Sequence, residues 1–280
     1  MPKVSVIIPN FNHAQFLPDR IESILAQSYT NYELIILDDA STDHSTEVIN
    51  SYAKAHPEIR VVLNKKNSGS PFVQWNRGAD LAKGDYLWFA ESDDYCEPVL
   101  LETLVGLLEK NPNVGLAYSQ SYLVNEKNDI LNSYQKNLEF IYKSKTWESD
   151  FIKKGMDVCR EWLIFHNPIP NASGALLRKS VFYECGKAET SMTLNGDWYL
   201  YAKMMCRADL AFVARHLNYF RVHPQTQRQR SRSSPGVYSE IIRIVEYIEK
   251  KVPRSEASAR QAYQKVSTWW QGNLYYHRWD

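Results

Sequence analysis

"GDYLWFAESDD", residues 84–94, decides the fold. Its centre, 85–90, is a short aromatic and aliphatic run of the kind that forms a strand buried on both faces. The run ends in Glu91, Asp93 and Asp94, with only Ser92 between them. Carboxylates this close repel one another. A chain selected for stability alone would seldom crowd them at a strand end unless a cation or phosphate chemistry offset the cost. "YELIILDD" (32–39) repeats the arrangement upstream and closes on Asp38 and Asp39.

Working outward, strands and helices alternate through the first 120 residues. "VSVIIP" (4–9), "IRVVLN" (59–64) and "VGLAYS" (114–119) join 32–39 and 85–90 as strands. Leu17, Ile21, Ile24 and Leu25 share one helical face, with Pro18 near the helix start. Val48, Ile49 and Tyr52 mark a second helix behind capping residues. Ser70 and Pro71 read as N-cap and first position of a third, running to about Lys83 and closed by Gly84. Pro98 opens a fourth. Such alternation predicts an α/β fold, a mainly parallel sheet flanked by helices with right-handed crossovers. In open sheets of this kind, ligands bind beyond the carboxyl ends of the strands. Both acidic clusters fall there.

Beyond residue 120 the pattern changes. A hairpin turning near 127–129, a helical stretch over 147–165, a strand over 174–179, a helix over 195–208 and two short strands within 211–223 are expected. The tail from about Val237 reads as helix, broken in two by Pro253.

With 280 residues, 44% of them hydrophobic, the chain can fill a core, and a net charge of +1 points to neither nucleic acid nor an anionic membrane. Charge is uneven locally. No acid lies between Asp209 and Glu240, an interval that holds His216, Arg215, Arg221, His223, Arg228, Arg230 and Arg232. It suits an anion, though a solvated basic loop is the plainer reading. The four cysteines lack zinc or redox spacing, which fits reduced thiols in a cytoplasmic protein. A strand begins almost at once, so no secretory leader is expected. No run approaches the roughly 20 apolar residues of a membrane span.

"VSVIIPNFNHAQFLPDRIESILAQSYTNYELIILDDASTD" (4–43) closely resembles the opening of family 2 glycosyltransferases of the GT-A fold. "NRGADLAKGDYLWFAESDD" (76–94) continues the match. The resemblance is close over 3–120 and looser over 170–225. It implies a GT-A, Rossmann-like fold, a nucleotide-diphosphate sugar donor, a divalent cation (Mg2+ or Mn2+) and inversion at the anomeric carbon. On this reading 1–120 is the nucleotide-sugar-binding half, 121–235 the acceptor-binding half and 236–280 a helical C-terminal extension.

Hard divalent cations choose carboxylate oxygens. By analogy with the family, Asp94 ligates the metal, while Asp93 bonds the ribose or assists. Glu91 stands where the family usually has Asp. Taken alone, the cluster also suits a helix N-terminus ahead of Pro98. The resemblance gives Asp39 to the base, since a carboxylate accepts the ring N–H of uracil or thymine; Ala40 follows where the family often has Gly. Pro9, Phe11 and Asn12 match a P-x-[YF]-N-like turn whose aromatic flanks the base. "QWNRG" (74–78) matches the family's R-N-x-G in part: Asn76 and Gly78 align, and Trp75 takes the arginine's position.

Asp197 is the implied catalytic base, taking the acceptor hydroxyl's proton as it attacks. Gly196 replaces the acid that often precedes it, and a helix-start Asp is also a common cap. "YFRVHPQTQR" (219–228) resembles the family's R-x-H segment. There His223 would complete the metal shell or bond the leaving phosphate, supported by Arg221. Arg228, Arg230 and Arg232 are expected to form a flap over the donor.

The expected activity is sugar transfer from a UDP- or dTDP-sugar to a hydroxyl of a glycan or lipid-linked acceptor, in bacterial polysaccharide assembly. The expected location is cytoplasmic, at the inner face of the membrane. Trp269, Trp270, Tyr275, Tyr276 and Trp279, interleaved with Lys265 and Arg278, suit peripheral membrane contact, packing on the catalytic domain, or contact with a second copy of the chain. Two rivals remain. A sugar-phosphate nucleotidyltransferase would usually carry a Gly-rich basic loop after the first strand, and "PNFNHAQF" (9–16) has none. An inactive carbohydrate-binding module would lack the acids.

Overall fold

The computed structural model describes residues 1–223, 235–252 and part of 260–268. The expected arginine flap and the aromatic tail lie outside the described residues.

The chain begins with β1 (Val4–Asn10), α1 (Leu17–Leu25), β2 (Tyr32–Asp38), α2 (Ser45–Ala55), β3 (Arg60–Leu63), α3 (Pro71–Leu81), β4 (Tyr86–Phe89), β5 (Tyr95–Cys96) and α4 (Leu100–Lys110). It continues with β6 (Val114–Val124), β7 (Ile130–Ser133), α5 (Tyr134–Tyr142), β8 (Phe151–Lys153), α6 (Gly155–Val158), β9 (Ala175–Arg178), α7 (Lys179–Glu184), α8 (Gly196–Met205), β10 (Asp209–Arg221) and α9 (Pro235–Lys251).

One sheet runs through both halves in the order β3-β2-β1-β4-β9-β6-β10-β5. The first four strands are parallel. All seven residues of β1 are buried, as a strand covered on both faces requires. Its side chains alternate between two cores. Val6 and Ile8 pack with Leu17, Ile21 and Ile24 of α1, while Ile7 packs with Phe72 and Trp75 of α3. Strand order reverses at β1, with β2 on one side and β4 on the other. Such a switch point opens a crevice at the carboxyl ends of the strands.

Local chemistry differs from expectation at Gly84, at Ser70 and over residues 147–165. α3 ends at Leu81, and Gly84 does not cap it. A Cβ on Gly84 would lie 2.7 Å from the Ser5 nitrogen and 2.8 Å from the Val4 carbonyl carbon, so glycine lets the chain cross β1 closely. Ser70 has the extended backbone of an N-cap, but its hydroxyl makes no capping bond. Residues 147–165 do not form the expected helix. Trp147 is buried and donates its indole N–H to the Tyr118 hydroxyl at 2.8 Å. β8 then pairs antiparallel with β10, and a Cβ on Gly155 would fall 2.0 Å from the Ala208 carbonyl oxygen. Tertiary pairing overrides the helical pattern, leaving the short α6 and a π turn over 159–163.

The second half also departs from simple alternation. β9 inserts antiparallel between β4 and β6. The two short strands expected within 211–223 are one strand, β10, parallel to β6 and irregular in register near Val213, His216 and Asn218. β5 follows Asp94 directly and pairs antiparallel with β10, Tyr95 opposite Tyr219. That pairing carries the end of β10 to the acidic turn.

Candidate active site

At the crevice between β1 and β4 lies a cavity of about 330 Å³. Pro9, Phe11 and His13 line it from the end of β1, Asp39 from β2, Gln74 from α3 and Asp93 from the turn after β4. A second, smaller cavity of about 140 Å³ is lined by Phe72, Trp75, Leu194, Asp197 and Phe220. The two share Pro71 and Glu91. Of the acids expected at one sheet rim, Asp39, Glu91, Asp93 and Asp197 fall along these two adjoining cavities, while Asp38 and Asp94 line neither.

The β2 turn is heavily bonded. Asp38 accepts from Asn10 Nδ2 at 2.8 Å and from the Ser41 N–H at 2.9 Å. Asp39 accepts from Ser68 Oγ (2.7 Å), Asn64 Nδ2 (2.6 Å) and Gln74 Nε2 (2.8 Å), and from the Ser68 N–H at 3.0 Å. It therefore holds the loop 64–70 against β2 while facing the cavity. Ala40 adopts φ 60°, the left-handed region that the turn requires and glycine would occupy freely. Asn12 also has positive φ, and its Oδ1 accepts from the Thr42 N–H at 2.7 Å. It ties the first loop to the second.

The β4 turn is arranged differently. Asp93 Oδ2 lies 3.1 Å from His223 Nε2, and these two with His13 bring three ligand atoms within 4.8 Å of one another. His223 is buried, and its Nδ1 has no hydrogen-bond partner among the described residues. Burial works to raise the pKa of Asp93, but the His223 hydrogen bond and the neighbouring imidazoles outweigh it and hold the carboxyl below its usual range. Asp94 is enclosed. Its Oδ2 accepts from Asn171 Nδ2 and Ser173 Oγ, both at 2.5 Å, and its Oδ1 from the Arg221 N–H at 2.8 Å. Burial, then the charge of Asp93, pushes Asp94 up to about 7. The same two causes push Glu91 up to about 8, although Trp75 Nε1 donates to its Oε1 at 2.8 Å.

Other expected residues serve the frame. Asn76 bonds the Ala188 backbone through both its amide groups and does not line either cavity. Arg221 is fully buried. It donates to the Asp93 carbonyl (2.6 Å), Asn128 Oδ1 (2.6 Å) and Asp19 Oδ2 (3.0 Å), and its guanidinium lies over the Phe16 ring at 4.6 Å. It shapes the acidic turn from behind.

Asp197 sits in the first turn of α8. Its Oδ1 accepts from the Trp198 N–H at 2.7 Å, and Asn167 Nδ2 approaches Oδ2 at 3.4 Å. The preceding loop is held from α9: the Glu240 carboxylate accepts from the N–H groups of Thr193 (2.5 Å), Leu194 (3.2 Å) and Asn195 (2.8 Å). Sequence reasoning missed Glu240, His13, Gln74, Asn171 and Ser173. Each is a single polar residue whose role depends on a distant partner, so no local spacing marks it.

A family model described as "Glycosyl transferase family 2" matches residues 5–185, which takes in β1 to β9 and stops before Asp197 and His223. An "Uncharacterized glycosyltransferase" of Haemophilus influenzae is 31% identical over 185 residues, covering 65% of this chain and 54% of that protein. A "Putative teichuronic acid biosynthesis glycosyltransferase TuaG" of Bacillus subtilis is 39% identical over 93 residues, covering 33% of this chain and 36% of its own length. The chain therefore spans about half or less of these relatives. Among solved structures, S. aureus TarS 1-349 in complex with UDP-GlcNAc superposes with a TM-score of 0.71 at 16% identity, covering 93% of this chain and 70% of TarS. The mannosyltransferase PcManGT of Pyrobaculum calidifontis, in complex with GDP-Man and Mn2+, gives 0.63 at 17%, covering 95% and 75%. At such identity the likeness speaks for the fold, and the fold is the GT-A arrangement. Strand order, the acidic turns at one sheet rim and the family match over 5–185 agree: the chain belongs to glycosyl transferase family 2.

Proposed function

We propose that this chain transfers a sugar from a UDP- or dTDP-sugar to an acceptor hydroxyl, with inversion, in bacterial glycan assembly. The observation that carries the reading is the junction of two cavities at Glu91, one holding Asp39 and Asp93 and the other Asp197. A donor in the first would point its anomeric carbon toward the second. Asp197 there takes the proton of the attacking hydroxyl. The relative named for teichuronic acid biosynthesis and the UDP-GlcNAc complex of TarS support a nucleotide-sugar donor and a bacterial glycan product.

His13, Asp93 and His223 suit a divalent cation. Three donor atoms converge, and the buried Nδ1 of His223 lacks a partner among the described residues. When bound, such an ion would neutralise the diphosphate as the glycosidic bond breaks. Two imidazoles beside one carboxylate suit Mn2+ better than Mg2+, which prefers oxygen ligands. In this reading Asp93 takes the ligand role expected of Asp94. Asp94 instead binds Asn171, Ser173 and the Arg221 backbone and so fixes the turn. Asp39 selects uracil or thymine, and Pro9 and Phe11 wall the base.

A thermal-shift series with UDP, dTDP and GDP, with and without MnCl2, tests the reading. UDP or dTDP should raise the melting temperature, and Mn2+ should enlarge the rise. A shift with GDP alone would remove Asp39 from base selection, and no shift with any nucleotide would remove the donor site. Asp197→Asn should keep nucleotide binding and lower transfer by about 10²–10⁴-fold. Normal turnover in that variant would end the base assignment.

A further inference from the structure

The smaller cavity has an unusual lining. Its walls are mostly apolar, with Phe72, Trp75, Leu194 and Phe220 the largest side chains, its neutral polar groups are Asn171 and Thr193, and its acidic groups are Glu91 and Asp197. No lysine, arginine or histidine lines it among the described residues. Trp75 lies flat on Phe89, with ring centroids 4.5 Å apart and planes 5° apart, and its indole N–H is committed to Glu91. Phe72 meets Trp75 edge-on at 5.2 Å. The Phe72 ring can lie there because residue 196 is glycine: a Cβ on Gly196 would fall 2.4 Å from Phe72 Cε2. One glycine, two aromatics and one glutamic acid thus set this wall together.

We propose that this cavity seats the sugar of the donor and selects an uncharged sugar that carries a methyl group, on an acetamido substituent or at a deoxygenated C6. The inference rests on the donor reading above and extends it to the sugar. The occupant follows from continuity, because the cavity shares Pro71 and Glu91 with the nucleotide cavity and contains Asp197. The class of sugar follows from the lining. A methyl group gains by leaving water for the Phe72 and Leu194 surfaces. The carboxylate of a uronic acid would enter a site that holds the Asp197 carboxylate and offers no cation among the described residues, which disfavours it.

Calorimetry with MnCl2 and no acceptor tests this within one nucleotide at a time. UDP-N-acetylglucosamine is compared with UDP-glucose, dTDP-6-deoxyglucose with dTDP-glucose, and UDP-glucuronate with UDP-glucose. At least one methyl-bearing donor should bind about tenfold or more tighter than its glucose counterpart, and the pair that gains identifies the source of the methyl. UDP-glucuronate should bind at least about tenfold more weakly than UDP-glucose. Leu194→Lys, at a half-exposed position, adds the missing cation. It should restore UDP-glucuronate binding, and UDP alone should bind as in the unmodified protein, which controls for folding. Equal affinity for glucose and methyl-bearing donors would overturn the methyl selection. UDP-glucuronate binding as well as UDP-glucose would overturn the charge exclusion. If UDP and dTDP bind and the sugars make no difference, only the sugar subsite falls. If neither nucleotide binds, the donor reading falls and the subsite with it.

Discussion

Two acidic turns end β2 and β4, the strands on either side of β1, and they are wired in opposite ways. At the end of β2, Asp38 and Asp39 turn inward, and Asp39 gathers Asn64, Ser68 and Gln74 around itself. At the end of β4, Asp94 does the inward work, while Asp93 meets the imidazole of His223 beside the cavity. At β4 the adjacent carboxylates divide the labour, Asp94 bracing the loop and Asp93 facing the ligand space. At β2 the same residue, Asp39, does both. The lesson is that a doublet of acids in sequence does not say which member is structural.

The difference can be broken by substitution. The largest effect is expected from Asp93→Asn, which keeps the shape and removes the charge beside His13 and His223. Mn2+ binding by calorimetry should weaken by at least tenfold, and transfer should fall by about 10²–10³-fold. Unchanged Mn2+ affinity would return the ligand role to Asp94. Next comes Asp39→Asn. Its two oxygens accept only from donors, so an amide NH2 must face an N–H or O–H group. A loss of about 1–3 kcal/mol by denaturant unfolding is expected, with Mn2+ affinity intact. A variant as stable as the parent would mean that the loop 64–70 does not depend on this carboxylate. The smallest effect belongs to Ala40→Gly. Relief of the left-handed alanine should stabilise the fold by up to about 1 kcal/mol, raising the melting temperature by about 2–4 °C in a chain of this size. A lower melting temperature would show that glycine's extra freedom in the unfolded chain outweighs the strain.

Legibility followed the range of the interactions. β1 to β4 and their helices are readable from short periodic runs because β1 and β4 are buried throughout, β2 over most of its length, and each crossover is local. Residues 147–165 are not, because Trp147 and Gly155 answer to Tyr118 and Ala208, which lie far along the chain. β10 reads as two strands because its register slips break the alternation that marks one. In the site, Asp39, Asp93 and Asp197 stand out because acids at strand ends and helix starts are conspicuous. His13 and Glu240 do not, since each acquires meaning only from a partner dozens of residues away or more. Asn76 and Arg221 sit in recognisable motifs, yet their side chains bond the protein itself, a distinction that only side-chain geometry makes.

Glu240 ties two stretches of the chain into one heritable unit. It reaches from α9 to the three backbone amides just ahead of the helix that bears Asp197. A chimaera that kept residues 186–223 but took α9 from a relative without this carboxylate would lose the fastening, and with it the register of Asp197. Exchange of the trailing helix within the family should therefore succeed only when the incoming helix brings a carboxylate to this position.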